Sequence, residues 1–99
     1  MNIKIQSVRF DADKKLINYV ESKVGKLNQV ADDILNAEVV LKIDNSESNE
    51  NKTAEIKIDI PHGTDIFAKK QSKSFEESVD LATGALRRQL KKFKKKKRN

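Results

Sequence analysis

SFEESVDLATGALRRQLKKFKKKKRN, residues 74–99, decides how the chain folds. Phe75, Val79, Ala82, Leu86, Leu90 and Phe93 step by four, three, four, four and three. At roughly 100° per residue they fall within an apolar stripe roughly 80° wide. The stripe predicts a helix beginning at Ser74 and packed at least as far as Phe93. Ser74 followed by Glu77 forms a capping box, and Glu76, Glu77 and Asp80 sit where the positive end of the helix dipole favours acids. The cations lie at the other end. Arg87, Arg88, Lys91, Lys92, Lys94, Lys95 and Arg98 project away from the stripe. Lys96, Lys97 and Asn99 are expected to fray, which divides the chain into one domain over residues 1–95 and a basic tail over 96–99.

Upstream, the pattern changes period. Met1, Ile3 and Ile5 alternate with polar residues and predict a strand. Asp11 or Asp13 can cap a helix whose buried face is Leu16, Val20, Val24 and Leu27, widened by Ile17; Gly25 weakens its last turn. Leu35, Ala37, Val39, Leu41 and Ile43 share one face of a second strand. Residues 44–52, DNSESNENK, read as a loop. Ala54, Ile56, Ile58 and Ile60 share a face of a third strand, and PHGT at 61–64 should turn it into a hairpin. A short fourth strand places Thr64, Ile66 and Ala68 inward and Asp65, Phe67 and Lys69 outward. The order βαβββα predicts an α+β two-layer sandwich: a four-stranded mixed sheet with both helices on one face, the first helix joining two parallel strands.

Composition narrows the function. Ninety-nine residues make one domain, and the absence of cysteine removes disulfides and thiolate metal sites. His62 is the single histidine and sits in a turn, so a metal or catalytic role is a weak reading of it. Asp80 is read as a surface acid balancing a Lys or Arg. With no nucleophile–base pair and no phosphate loop, the chain is expected to be no enzyme, with no metal, no cofactor and no small-molecule substrate. It has no apolar run of membrane-spanning length and no signal-peptide pattern, so a cytoplasmic location is expected. The charge is lopsided. Residues 86–99 hold nine Lys or Arg and no acid, +9, whereas residues 1–85 hold twelve against fifteen Asp or Glu, −3, giving the net +6. Charge alone fits a solubilising tail as well as a polyanion site. The stripe favours the latter, because cations held on a packed helix form a spaced array for phosphates. A membrane surface would compete for an apolar stripe that the sheet already needs. Without zinc-finger spacing or a helix-turn-helix, and with little aromatic interleaving for single-strand stacking, RNA read by shape is the expected ligand.

Four stretches carry a family resemblance: LINYVESKVGKL (16–27), VVLKID (39–44), AEIKIDIPHG (54–63) and, most specifically, SFEESVDLATGALRRQLKKFKKK (74–96). In order and spacing they resemble the short ribosome hibernation-promoting factors, also called ribosome-associated inhibitor A and formerly sigma-factor modulation proteins. The resemblance implies a fold like that of double-stranded-RNA-binding domains. It also implies binding to the small ribosomal subunit (30S) and its 16S rRNA in the mRNA and tRNA channel near the A and P sites. Translation would thereby be blocked in stationary or stressed cells, by a protein monomeric off the ribosome. Carried over by position, the rRNA contacts implied are Lys23, Lys26, Arg88, Lys92 and Lys94; the helical pattern adds Arg87, Lys91 and Lys95. The chain departs from the family pattern at Ser74, at Phe75 and Glu76, at Ser78 and at Gly84–Ala85. The rival functions are a general double-stranded-RNA binder and a module for an acidic protein partner.

Overall fold

A computed structural model describes residues 1–44, 49–61 and 65–97, with side chains of the final helix described through Phe93. The elements run β1 (Asn2–Val8), α1 (Lys14–Gly25), a 3-10 turn (Lys26–Gln29), β2 (Asn36–Ile43), β3 (Lys52–Asp59), β4 (Asp65–Ser72) and α2 (Phe75–Lys97). The strands form one sheet in the order β1-β2-β3-β4. β1 pairs parallel with β2 in the register Ile3 to Ala37 and Ile5 to Val39, and the other two pairings are antiparallel. The sandwich expected from the periodicities is the one observed.

The core follows from those periodicities. Ala37, Val39 and Leu41 of β2, Ala54, Ile56 and Ile58 of β3, and Ile66 and Ala68 of β4 share one sheet face and are buried against Leu16, Val20, Val24 and Leu27. The α2 stripe closes the same core: Phe75, Val79, Ala82, Leu86 and Leu90 are buried, and Phe93 is partly so. Asp13 is the cap of α1, its Oδ1 accepting the Leu16 N–H at 2.9 Å. Ser74 Oγ accepts the Glu77 N–H at 3.1 Å and so caps α2. Each cap satisfies a donor that the first turn would otherwise leave open. Phe10 and Phe75 stack with centroids 4.5 Å apart, pinning the two helix starts together. Regular α-helix ends at Gly25, and the 3-10 turn after it delivers Leu27 to the core.

Two expectations shift. Leu35 lies one residue before β2 and is 55% exposed although its backbone bonds to Asn2 and Asp59 on either side, and its neighbour Ile34 is buried in the core instead. β4 is no short strand; it continues through Lys70 to Ser72, held by pairing with Ala54 and Lys52 although AKKQ has no apolar alternation. The PHGT turn beyond Pro61, including Thr64 and His62, and residues 45–48 of the polar loop lie outside the described residues. Ser78, a departure from the family pattern, is fully buried. Its hydroxyl donates to the Lys52 carbonyl at 2.6 Å and lies 2.8 Å from Ser72 Oγ, tying the start of α2 to the sheet.

Arg9, between β1 and α1, has φ 71 and is exposed. A residue with a β-carbon is strained in that left-handed region, whereas glycine is not. Arg9→Gly should therefore raise unfolding free energy by about 1 kcal/mol in a urea titration. A loss of stability would mean that the Arg9 side chain contributes more than the strain costs.

Candidate nucleic-acid interface

β4 runs parallel to β2, and α2 packs back antiparallel along β4: Ser78 lies beside Ser72, while Gln89 Nε2 donates to the Phe67 carbonyl at 3.1 Å. α1 likewise returns against β1 and β2, so the two helices point the same way and their negative dipole ends share one end of the molecule. At 23 residues α2 is about 35 Å long, against about 27 Å for an eight-residue strand, so its basic end overhangs the sheet.

The two faces of the sandwich differ in charge. On the outer sheet face the strands display Lys4, Lys42, Lys57 and Lys69 against Glu38, Glu55, Asp59 and Asp65, four of each sign. They neutralise one another across strands. Lys42 Nζ lies 2.8 Å from Glu55, Lys57 lies 3.7 Å from Glu38, and Lys69 lies 3.8 Å from Glu55. The hydrogen bond to Glu55 pushes the Lys42 pKa above its ordinary value. Phe67 stands 52% exposed on this face opposite Lys57, the outward position expected for it. The helix layer is different. Residues 14–29 hold four lysines and one Glu, and residues 75–97 hold eight Lys or Arg and three acids. The excess positive charge is therefore on the helix side.

The helical period sorts the cations into two rows. Arg87 and Lys91, one turn apart, lie on the flank toward α1. Arg88 and Lys92 form a second row turned roughly 100° away from the first. Arg88, Lys91 and Lys92 are exposed and Arg87 is half-buried. Lys94 and Lys95 continue the helix, but their side chains are outside the described residues, as is Arg98. Lys26 is exposed on the 3-10 turn. Lys23 does not stand free: its Nζ lies 2.8 Å from Asp80 Oδ1 across the two helices. Asp80 is thus the charge-balancing acid that the sequence suggests.

Tyr19, assigned no role in the sequence, completes this bridge. Its hydroxyl hydrogen-bonds Asp80, and Lys23 Nζ sits 5.8 Å from the centre of its ring. The hydrogen bond with Asp80 pushes the Lys23 pKa up, and the hydrogen bond with Lys23 pulls Asp80 down against the opposing effect of burial. Burial, then the Asp80 bond, pushes the Tyr19 hydroxyl up. Arg87 opposes the proton on Lys23 and Lys26 favours the Asp80 anion, so these cations surround one carboxylate. The stabilisation from a depressed Asp80 is complete above the ordinary carboxylate pKa and is lost as pH falls through the depressed one. That from a raised Lys23 is lost only as pH climbs through its raised pKa. Both side chains are about a third or more exposed, 34% and 48%, so solvent screening keeps the contribution small. Spacing within α1 places Tyr19 one turn before Lys23, but nothing local connects either to Asp80.

Among the described residues no helix is long and apolar enough to cross a membrane, and no group of three or more His, Cys, Asp or Glu could hold a metal.

The architecture is that of ribosomal subunit interface proteins. The solved structure of one from Coxiella burnetii superposes with a TM-score of 0.83 at 26% identity, covering 95% of this chain and 98% of that one. The N-terminal domain of Thermus thermophilus Protein Y superposes at 0.81 with 29% identity, covering 94% and 99%. The chain belongs to the family described as Sigma 54 modulation protein / S30EA ribosomal protein, matched over residues 3–98. It is also 34% identical over 77 residues to the ribosome hibernation promotion factor of Deinococcus radiodurans. That match covers 77% of this chain and 40% of the relative, so the chain corresponds to less than half of that protein.

Proposed function

We propose that the chain binds the small ribosomal subunit and keeps it out of translation, laying the basic end of its helix layer against 16S rRNA phosphates in the mRNA and tRNA channel near the A and P sites. The observation that carries this is the division of charge: a self-neutralised sheet face and a cationic helix layer whose side chains are held by a packed core. Cations on a folded helix match a rigid, folded RNA better than a mobile run does, since the backbone is already ordered and only the side chains lose freedom at binding. The names of the relatives, a subunit interface protein and a hibernation promotion factor, support the same function. Residues 1–95 form the binding domain and 96–99 a basic extension; Lys96 and Lys97, expected to fray, continue the α2 backbone. Arg87, Arg88, Lys91, Lys92, Lys94, Lys95 and Lys26 meet phosphates directly. Lys23 does so from its bridge to Asp80. The setting is the cytoplasm of stationary or stressed cells.

Purified chain mixed with small subunits should co-sediment with them through a sucrose gradient at low salt and leave them as salt rises. Added to a cell-free translation reaction, it should lower protein synthesis in proportion to dose. Chain found only at the top of the low-salt gradient would overturn the proposal.

A further inference from the structure

We infer that Gly84 is a seat for the RNA sugar–phosphate backbone: a point of α2 main chain with no side chain of its own, beside the Arg88 guanidinium and within two helical turns of Arg87 and Lys91. The inference rests on the RNA-binding function proposed above.

Gly84 lies in the interior of α2, in helical backbone, where glycine is among the least favourable residues. The fold does not require it. A β-carbon at this position would meet nothing nearer than Arg88 Nη1, at 3.8 Å, an ordinary van der Waals contact with the end of a long side chain. No left-handed turn and no neighbouring element excludes alanine. The position is also not part of the core, since it lies roughly 160° around the axis from buried Leu86. A helix glycine with no packing reason that stands among cations, as Gly84 does and Gly25 does not, points to close approach by an anion from outside the chain.

The surroundings state what that is. Side chains on a helix lean toward its N-terminus, so Arg87 and Arg88, three and four residues on, lean over position 84. The 3.8 Å separation records this for the Arg88 guanidinium, while Arg87 stays beyond 4 Å of a β-carbon there. Lys91 lies one turn further along the same side. On the N-terminal side is Asp80, whose carboxylate is occupied by Lys23 and Tyr19 and so repels an anion less than a free one would. The main-chain amides at 84 are engaged within the helix, so the seat offers no N–H donors. It offers room, and two guanidinium groups suited to phosphate oxygens. A methyl group there would hold the phosphodiester away from both.

Gly84→Ala in the full chain separates this from a structural role, because it should raise stability and weaken binding together. The thermal midpoint is expected to rise by about 4–8 °C. Affinity for small ribosomal subunits should fall on the order of tenfold, with the slope of log affinity against log salt falling by about 0.7–0.9 as one phosphate contact is lost. Gly25→Ala is the control. Gly25 has nothing within 4 Å of a β-carbon, and at roughly 100° per residue it lies about 160° around α1 from Lys23, which faces Asp80 of α2. It should stabilise without weakening binding. Equal affinity of Gly84→Ala and the parent overturns the seat while leaving subunit binding standing. So does an equal loss in both variants, which would assign the effect to helix stiffness, or a drop in stability at 84, which would show that the fold needs the glycine. Parent chain that fails to bind subunits removes the proposed function and the seat with it.

Discussion

Replacing Arg88, Lys91 and Lys92 together with alanine should lower affinity for small ribosomal subunits on the order of 100-fold and leave the fold unchanged. All three side chains are exposed and lie off the α2 stripe, so no buried contact is lost. A charge-assisted contact made at a surface is worth roughly 1 kcal/mol after screening. Three such contacts amount to about 3 kcal/mol, or about two factors of ten. The salt dependence gives an independent measure. Each phosphate neutralised adds roughly 0.7–0.9 to the slope of log affinity against log salt, so the variant should lose about 2–3 from it. Filter binding across a salt series reads both quantities. Unchanged affinity and slope would mean that these two rows do not touch phosphate, and would move the interface to another part of the surface.

The second large effect is on stability. Leu86 is fully buried where the α2 stripe meets the sheet, and Leu86→Ala should cost about 3 kcal/mol. For a chain of 99 residues, total stability is about 5–15 kcal/mol, so this single change removes a large share of it. A urea titration monitored by circular dichroism should show the midpoint falling with an unchanged slope. Leu81→Ala on the same helix is the contrast: Leu81 is 46% exposed, and its loss should change stability by less than about 0.5 kcal/mol. A cost below about 1 kcal/mol for Leu86→Ala would show that α2 is not clamped by its stripe. The premise that its cations are held in register before binding would then fail as well. The two predictions therefore test opposite sides of one helix.

The sequence alone determined the order of elements, the cap at Ser74, the buried stripes of both helices and the division of the α2 cations from its core face; it narrowed the α1 cap to Asp11 or Asp13, and the structure selects Asp13. Each of these depends on residues within one or two turns of each other, where helical and strand periods dictate which side chains share a surface. Sequence also placed the net charge, because counting requires no geometry. What tertiary structure decided lies between distant segments. β4 reaches Ser72 because β3 supplies its backbone partners, not because its own side chains alternate. Leu35 is exposed and Ile34, its neighbour, holds the core position just before β2. Lys23 and Asp80 stand 57 residues apart in the chain, yet 2.8 Å apart in space. Their pairing, with Tyr19, depends on two helices packing parallel on one sheet. That arrangement is a property of the assembled core, and no local pattern in either helix encodes the partner that the other one brings.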